Sequence, residues 1–241
     1  YWADIKESHF DLLYLNNSNE IVFFPFESLD MPKIGHIHDN PKMFRLAFRR
    51  QLLEQLNALD AILAVSRSVK NSLIELGIQR SKVNVVYNAI DIDESLSNDE
   101  IKIPQNEGVI RIGFVGGLIK RKGPLLLMKA ANLLDRLNGY NIEINFAANY
   151  KEPNVYRKIT RFKTNTNITV KFYENLERDR MKSFYRSMDL IVVPSYSDPL
   201  PTVILEAVAN GKLVLASNVD GIPELVNVER LLFRRGDYSD L

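Results

Sequence analysis

Two carboxylates eight residues apart, Asp198 and Glu206, bracket the part of this chain best suited to chemistry. Between them run Pro199, Leu200, Pro201 and Thr202, followed by an apolar stretch over 203–208 that only Glu206 interrupts. The pattern puts Asp198 on a loop and Glu206 in the first turns of a helix. A helix start offers unpaired backbone N–H groups and the positive end of the dipole, which suits a phosphate, while carboxylates accept hydrogen bonds from hydroxyls. Phosphate plus hydroxyls describes a nucleotide sugar. The residues also allow an acid pair for hydrolysis, or two polar groups flanking a core helix. A glutamate in so apolar a helix must be satisfied by something; solvent and a ribose diol are the two candidates.

A second stretch suits the same ligand. The apolar run 109–115 ends in Gly116 and Gly117, and Lys120, Arg121, Lys122 and Gly123 follow. Glycines let backbone approach a ligand closely, and three cations before a helix start favour a diphosphate. The plain alternative is a strand-to-helix turn with solvated charges. No Ser or Thr follows the lysine, so the stretch is not a Walker loop. His38 closes a third apolar run, with His36 two residues earlier on the same strand face. An imidazole there could donate into a cleft or be purely structural. Two basic stretches remain: 41–59, with Lys42, Arg45, Arg49 and Arg50, reads as a solvated helix face or a weak membrane-surface patch; 150–163 reads as a loop without an assigned role.

Composition narrows the class. With 241 residues, 46% hydrophobic and 25% charged, the chain can build one large or two small soluble domains. A net charge of +1 gives no argument for nucleic-acid binding. Without cysteine there are no disulfides or thiolate zinc sites. No apolar run reaches the roughly 20 residues of a membrane span, and the first ten residues do not resemble a signal peptide. The absence of an initiator methionine leads us to expect a fragment.

The elements that must hold these groups alternate. Residues 10–15, 33–38, 60–65 and 83–87 read as strands, with helices over 41–59 and from an N-cap at Ser66 to Leu76, closed by Gly77. Residues 91–108 are polar, acidic and without periodicity, and read as a linker. Strands follow at 109–115, 142–146, 168–172, 190–193 and 213–216, with helices from Pro124 to about Leu137, over 178–187 and over 202–210. This order predicts an α/β protein with two Rossmann-like domains, parallel sheets and a cleft between them. Most of the distinctive residues lie just after strands, where such sheets bind ligands.

Four stretches, taken in order, carry a resemblance: 59–74 (LDAILAVSRSVKNSLI) with 83–91 (VNVVYNAID), 114–123 (FVGGLIKRKG), 189–209, and 217–226 (SNVDGIPELV). Together they resemble the retaining glycosyltransferases of family 4, which have the GT-B fold. The resemblance implies a partial N-terminal acceptor domain over 1–100, including the start of the linker, and a C-terminal nucleotide-sugar donor domain over 101–241. It assigns Glu206 to the nucleotide ribose and Asp198 to the donor sugar, with a shorter reach than the family's usual glutamate. Leu200, Pro201 and Thr202 match the loop whose backbone contacts sugar and phosphate, although Pro201 has no N–H to give. Lys122 matches the lysine that neutralises the diphosphate. Gly117 stands where the family usually has an arginine, leaving Arg121 or Lys120 to replace that cation. His38 matches a histidine expected near the reacting sugar.

The implied partners are a nucleotide-sugar donor and a saccharide or lipid-linked acceptor, without nucleic acid. The implied setting is cytoplasmic, extending to the inner face of the membrane, in surface polysaccharide or glycolipid assembly. No metal and no cofactor are expected. The family's Gly-rich first strand-turn-helix and its last helices find no counterpart, so the acceptor domain is expected to be incomplete. Two other functions fit the same pattern: a nucleotide-sugar 2-epimerase on this fold, and a non-catalytic nucleotide-sugar binder.

Overall fold

The computed structural model describes residues 10–23, 26, 28–91, 108–134 and 140–241. Most of the linker read at 91–108, and His9, lie outside them. The chain divides into two compact units, Tyr1–Asn88 and Ala89–Leu241.

The first unit is a four-stranded parallel sheet in the order β1-β2-β3-β4, formed by Leu13–Leu15, Lys33–Ile37, Ala61–Ala64 and Val83–Val85. Its helices are α1 (Ser18–Phe23), α2 (Leu46–Asn57) and α3 (Arg67–Glu75). The Ser66 hydroxyl caps α3 by accepting from the Val69 amide at 3.1 Å, and Gly77 ends the segment at φ +100°. The helix read over 41–59 is broken. Asn40 caps a single 3₁₀ turn at Pro41–Met43, the chain then extends at Phe44, and α2 starts at Leu46. The Arg49 guanidinium donates to the Lys42 and Phe44 carbonyls, which stabilises the break. Helix α1 was not anticipated. The Glu20 amide donates to Asn17 Oδ1 at 2.9 Å while the Glu20 carboxylate accepts from the Asn16 amide at 2.7 Å, a reciprocal cap in the manner of a capping box.

The second unit is a six-stranded parallel sheet in the order β10-β9-β8-β5-β6-β7. Its strands are β5 (Val109–Val115), β6 (Asn141–Ala147), β7 (Ile168–Tyr173), β8 (Leu190–Val193), β9 (Leu213–Ser217) and β10 (Leu232–Phe233). Between them lie α4 (Pro124–Leu133), α5 (Pro153–Thr160), α6 (Arg178–Ser187), α7 (Thr202–Ala209) and the single turn α8 (Ile222–Leu225). The first three strands step one way from β5 and the last three step the other way, so the order reverses between β5 and β8. That reversal is where open α/β sheets bind ligands.

Helices cover both faces of this sheet. Ile112 and Phe114 pack with Leu127 and Met128 of α4 and with Val155 and Ile159 of α5. Ile191 and Val193 pack with Tyr185 of α6 and Ile204 of α7. Gly113 faces this second layer, where an added Cβ would come within 2.6 Å of Ile191 and 2.8 Å of Met188. The basic stretch read as a loop over 150–163 contains α5 instead. Pro153 opens it, and Val155 and Ile159, one helical turn apart, are buried against the core.

Candidate functional site

Strands β5 and β8 pair through Ile112–Leu190 and Gly113–Ile191 but not beyond. Their carboxyl ends diverge, and the residues after each strand fill the gap. After β5, Lys120–Lys122 form one 3₁₀ turn, and Gly123 then turns left-handed at φ +71° to start α4. A Cβ at Gly123 would sit 1.9 Å from the Pro194 carbonyl oxygen, so only glycine lets this turn meet the chain leaving β8. The Tyr196 amide donates to the Arg121 carbonyl at 2.7 Å, and the Arg121 guanidinium donates to the Ser197 carbonyl at 2.9 Å. The cationic turn and the 194–202 loop are thus one assembly.

Asp198 lies at its centre, 4% exposed. Lys122 Nζ donates to Asp198 Oδ2 at 2.6 Å, and the Ser195 hydroxyl donates to the same oxygen at 3.1 Å. The Asp198 amide donates to Asp220 Oδ2 at 2.9 Å, and the Ser197 hydroxyl donates to that oxygen as well. Asp220 reaches this position from the loop after β9 with φ +44°, a left-handed conformation that aspartate tolerates better than most residues. Ser217, at the end of β9, donates to the Ser195 carbonyl at 2.6 Å. Three loops at the carboxyl edge of the sheet are therefore cross-linked around one carboxylate.

Glu206 has different surroundings. It sits in the second turn of α7, with the Tyr185 hydroxyl donating to Oε2 at 2.6 Å. No hydrogen bond reaches Oε1 among the described residues. Tyr185 is 2% exposed, and burial, then the Glu206 carboxylate, pushes its phenol well above the usual value. The start of α7 has no side-chain cap: Pro201 occupies the N-cap position, and Thr202 is the exposed first residue. Leu200 is buried beside it. Gly117 has ordinary backbone angles, and an added Cβ would meet nothing closer than 3.6 Å, so a side chain fits there without strain. Arg121 is engaged with Ser197, whereas Lys120 is exposed and lines a groove of about 930 Å³ with Leu125, Lys129, Lys158 and Phe162, which Gly123 and Tyr196 border.

His38 belongs to the first unit. Its Nε2 lies 3.1 Å from Asn16 Oδ1, and its ring centroid lies 4.1 Å from that of His36. The Tyr14 hydroxyl lies 2.6 Å from His36 Nδ1. Burial, then the neighbouring His38, holds the His36 pKa below its usual value. The strand ends of β1 and β2 thus bring Tyr14, Asn16, His36 and His38 together. Of the cations on the 41–59 face, Lys42 is paired with Glu75, Arg50 with Glu54, and Arg49 with backbone carbonyls. Among the described residues, no helix is long and apolar enough to cross a membrane.

Residues 97–241 match the family described as Glycosyl transferases group 1. The chain belongs to that family. Residues 1–94 match Glycosyltransferase Family 4. This group 1 chain is 30% identical over 186 residues to an uncharacterised glycosyltransferase of Methanocaldococcus jannaschii, covering 76% of this chain and 47% of that protein. It is 29% identical over 195 residues to the D-inositol 3-phosphate glycosyltransferase of Kribbella flavida, covering 76% of this chain and 45% of that protein. It therefore spans about half the length of these relatives. Its fold is also that of HepE from Anabaena, solved in complex with UDP and glucose, with a TM-score of 0.76 at 20% identity over 99% of this chain and 68% of that one. Within the group 1 unit, motif reading reached Asp198, Glu206 and Lys122 but not Tyr185, Ser195 or Asp220. Tyr185 and Asp220 join the site from other elements through contacts 21 and 22 residues apart, a distance no short pattern reports.

Proposed function

We propose that the protein is a glycosyltransferase that moves a sugar from a nucleotide-sugar donor to an acceptor hydroxyl with retention of anomeric configuration. The observation that carries this reading is the convergence, where the strand order reverses, of a cationic turn, an uncapped helix start and a glutamate with one open oxygen. Glu206 Oε1 suits a ribose hydroxyl. The free amides at the start of α7 and the Lys122 ammonium suit a diphosphate. As the sugar leaves, negative charge grows on the diphosphate, and fixed positive groups aimed at it lower the barrier. Lys122 reaches that role by exchanging its Asp198 partner for phosphate. Asp198 and the Leu200–Thr202 backbone are assigned to the donor sugar, and His38 keeps the catalytic role that the resemblance gives it. No metal or cofactor is assigned, so chelation with EDTA should leave turnover unchanged. The UDP and glucose bound by HepE make UDP-sugars the first donors to try. The acceptor is assigned to the saccharide or lipid-linked class of surface polymer or glycolipid assembly, on the cytoplasmic side where activated sugars are made.

Acceptor-dependent release of nucleoside diphosphate across a panel of UDP-, GDP- and ADP-sugars tests this reading, with NMR of the product's anomeric proton deciding retention. An inverted product would end the retaining assignment. The Lys122–Asp198 pair, together with Gly117 where a cation is usual, favours one second reading: a non-catalytic binder. Tight donor binding without turnover would select it.

A further inference from the structure

Among the described residues, Tyr185 is the one buried hydroxyl that touches a candidate ligand-binding carboxylate from outside that carboxylate's own element. It lies in the last turns of α6, within the second core layer beside Met188, Ile204 and Ala207. A phenol this deeply buried needs a partner for its O–H, and the partner it finds is Glu206 Oε2 at 2.6 Å. Glu206 needs a partner too. Its helix is otherwise apolar, and a glutamate side chain has three torsions free to turn its carboxylate into any direction the surface allows. One fixed bond to Oε2 removes that freedom and leaves Oε1 facing away from the core.

We infer that Tyr185 is a positioning residue for nucleotide recognition: it holds the Glu206 carboxylate in the orientation that receives a ribose hydroxyl. The inference rests on the assignment of Glu206 to the ribose. Tyr185 itself touches no ligand. Its contribution appears only when the ligand carries the hydroxyls that Glu206 accepts, which distinguishes it from a residue that merely packs α6 against α7. The order of the elements gives the arrangement its rigidity. Helices α6 and α7 flank β8, the strand that ends at the candidate site, and Tyr185 and Ile204 share one core cluster with Ile191 of that strand.

The test compares two ligands on three proteins. Dissociation constants are measured by calorimetry for UDP and for 2′,3′-dideoxy-UDP, with wild type, Tyr185→Phe and Glu206→Ala, and thermal melts confirm folding. Phenylalanine keeps the packing and removes only the hydroxyl. A hydrogen bond to a charged group corresponds to about a tenfold effect. We expect Tyr185→Phe to weaken UDP about tenfold and to leave the dideoxy ligand within about twofold of wild type. Equal losses on both ligands, or no loss on UDP, would overturn the inference and leave Tyr185 as a packing residue. If Glu206→Ala fails to weaken UDP, or wild type does not prefer UDP to the dideoxy ligand, the ribose assignment falls and takes this inference with it. If Glu206→Ala weakens UDP and Tyr185→Phe does not, the inference alone falls.

Discussion

Asp198 and Glu206 are eight residues apart and chemically alike, yet their surroundings are opposite. Asp198 is buried in a loop, where its carboxylate accepts from Lys122 and Ser195 and its amide is held by Asp220. Glu206 rides on a helix, takes one neutral hydroxyl from Tyr185 and keeps an oxygen open. A buried, ion-paired carboxylate organises its neighbours, whereas one held by a single neutral hydroxyl on a less buried helix position is available to a ligand. Asp198 is the hub that ties the cationic turn to the loop after β8, and Glu206 is the carboxylate with an oxygen left for a ligand.

That contrast can be broken most severely at Gly123. A methyl group there meets the Pro194 carbonyl at 1.9 Å, and φ is +71°. Gly123→Ala should cost roughly 4 kcal/mol or more, enough to unfold the unit in a denaturant titration. A fully stable variant would show that the turn and the loop are not tied as described. Next in size is Lys122→Met, which leaves the 4% exposed Asp198 carboxylate without its cation. We expect a stability loss of about 2–3 kcal/mol in the same titration, below the value for a wholly buried pair because Lys122 is partly exposed.

Glu206→Gln should show the opposite profile. The amide still accepts from Tyr185, so stability should change by less than about 1 kcal/mol, while UDP affinity measured by calorimetry falls about tenfold with loss of the charged acceptor. If Lys122→Met spared stability while Glu206→Gln abolished it, the roles of the two carboxylates would be reversed.

Gly117→Arg sharpens the comparison by addition. The site accepts a Cβ without strain, so the melting temperature should hold. A second cation near the turn should tighten UDP severalfold, an effect of about 1 kcal/mol that weakens as salt is raised.

How much of this was legible beforehand varies along the chain. Val109–Val115 and Leu190–Val193 match to the residue, because parallel strands buried on both faces read as continuous apolar runs, and Arg178–Ser187 matches because Met181, Phe184 and Tyr185 recur at helical spacing. Helix α5 was hidden by its basic face, with only Val155, Tyr156 and Ile159 marking the inner side. Helix α1 was hidden by its length, although Asn17 and Glu20 announced its cap. The site was legible where one segment carries it, as with Asp198 and Glu206. It was illegible where a contact closes between distant segments, as with Tyr185 on Glu206 and Asp220 on Asp198. The pairing of Lys122 with Asp198 was unforeseen as well, since residue types allowed each of them a separate ligand.

The smallest effect lies in the first unit. Because the folded state holds the His36 pKa below its unfolded value of 6.5, the unfolded chain binds that proton more readily. Its contribution to stability is complete above pH 6.5 and is lost as the pH falls through 6.5 towards the folded value. The melting temperature should decline slightly from pH 7.5 to 5.5, and His36→Gln should flatten that slope. An unchanged slope would place the dependence on other groups.

The account's central claim is that the donor binds where β5 and β8 part. A crystal structure of the protein with UDP tests it most directly. We predict the ribose hydroxyls within hydrogen-bond distance of Glu206 Oε1, the diphosphate against the start of α7, and Lys122 Nζ turned from Asp198 to a phosphate oxygen. UDP bound elsewhere, for example in the basic groove lined by Lys120, Lys129 and Lys158, with Lys122 still on Asp198, would contradict it.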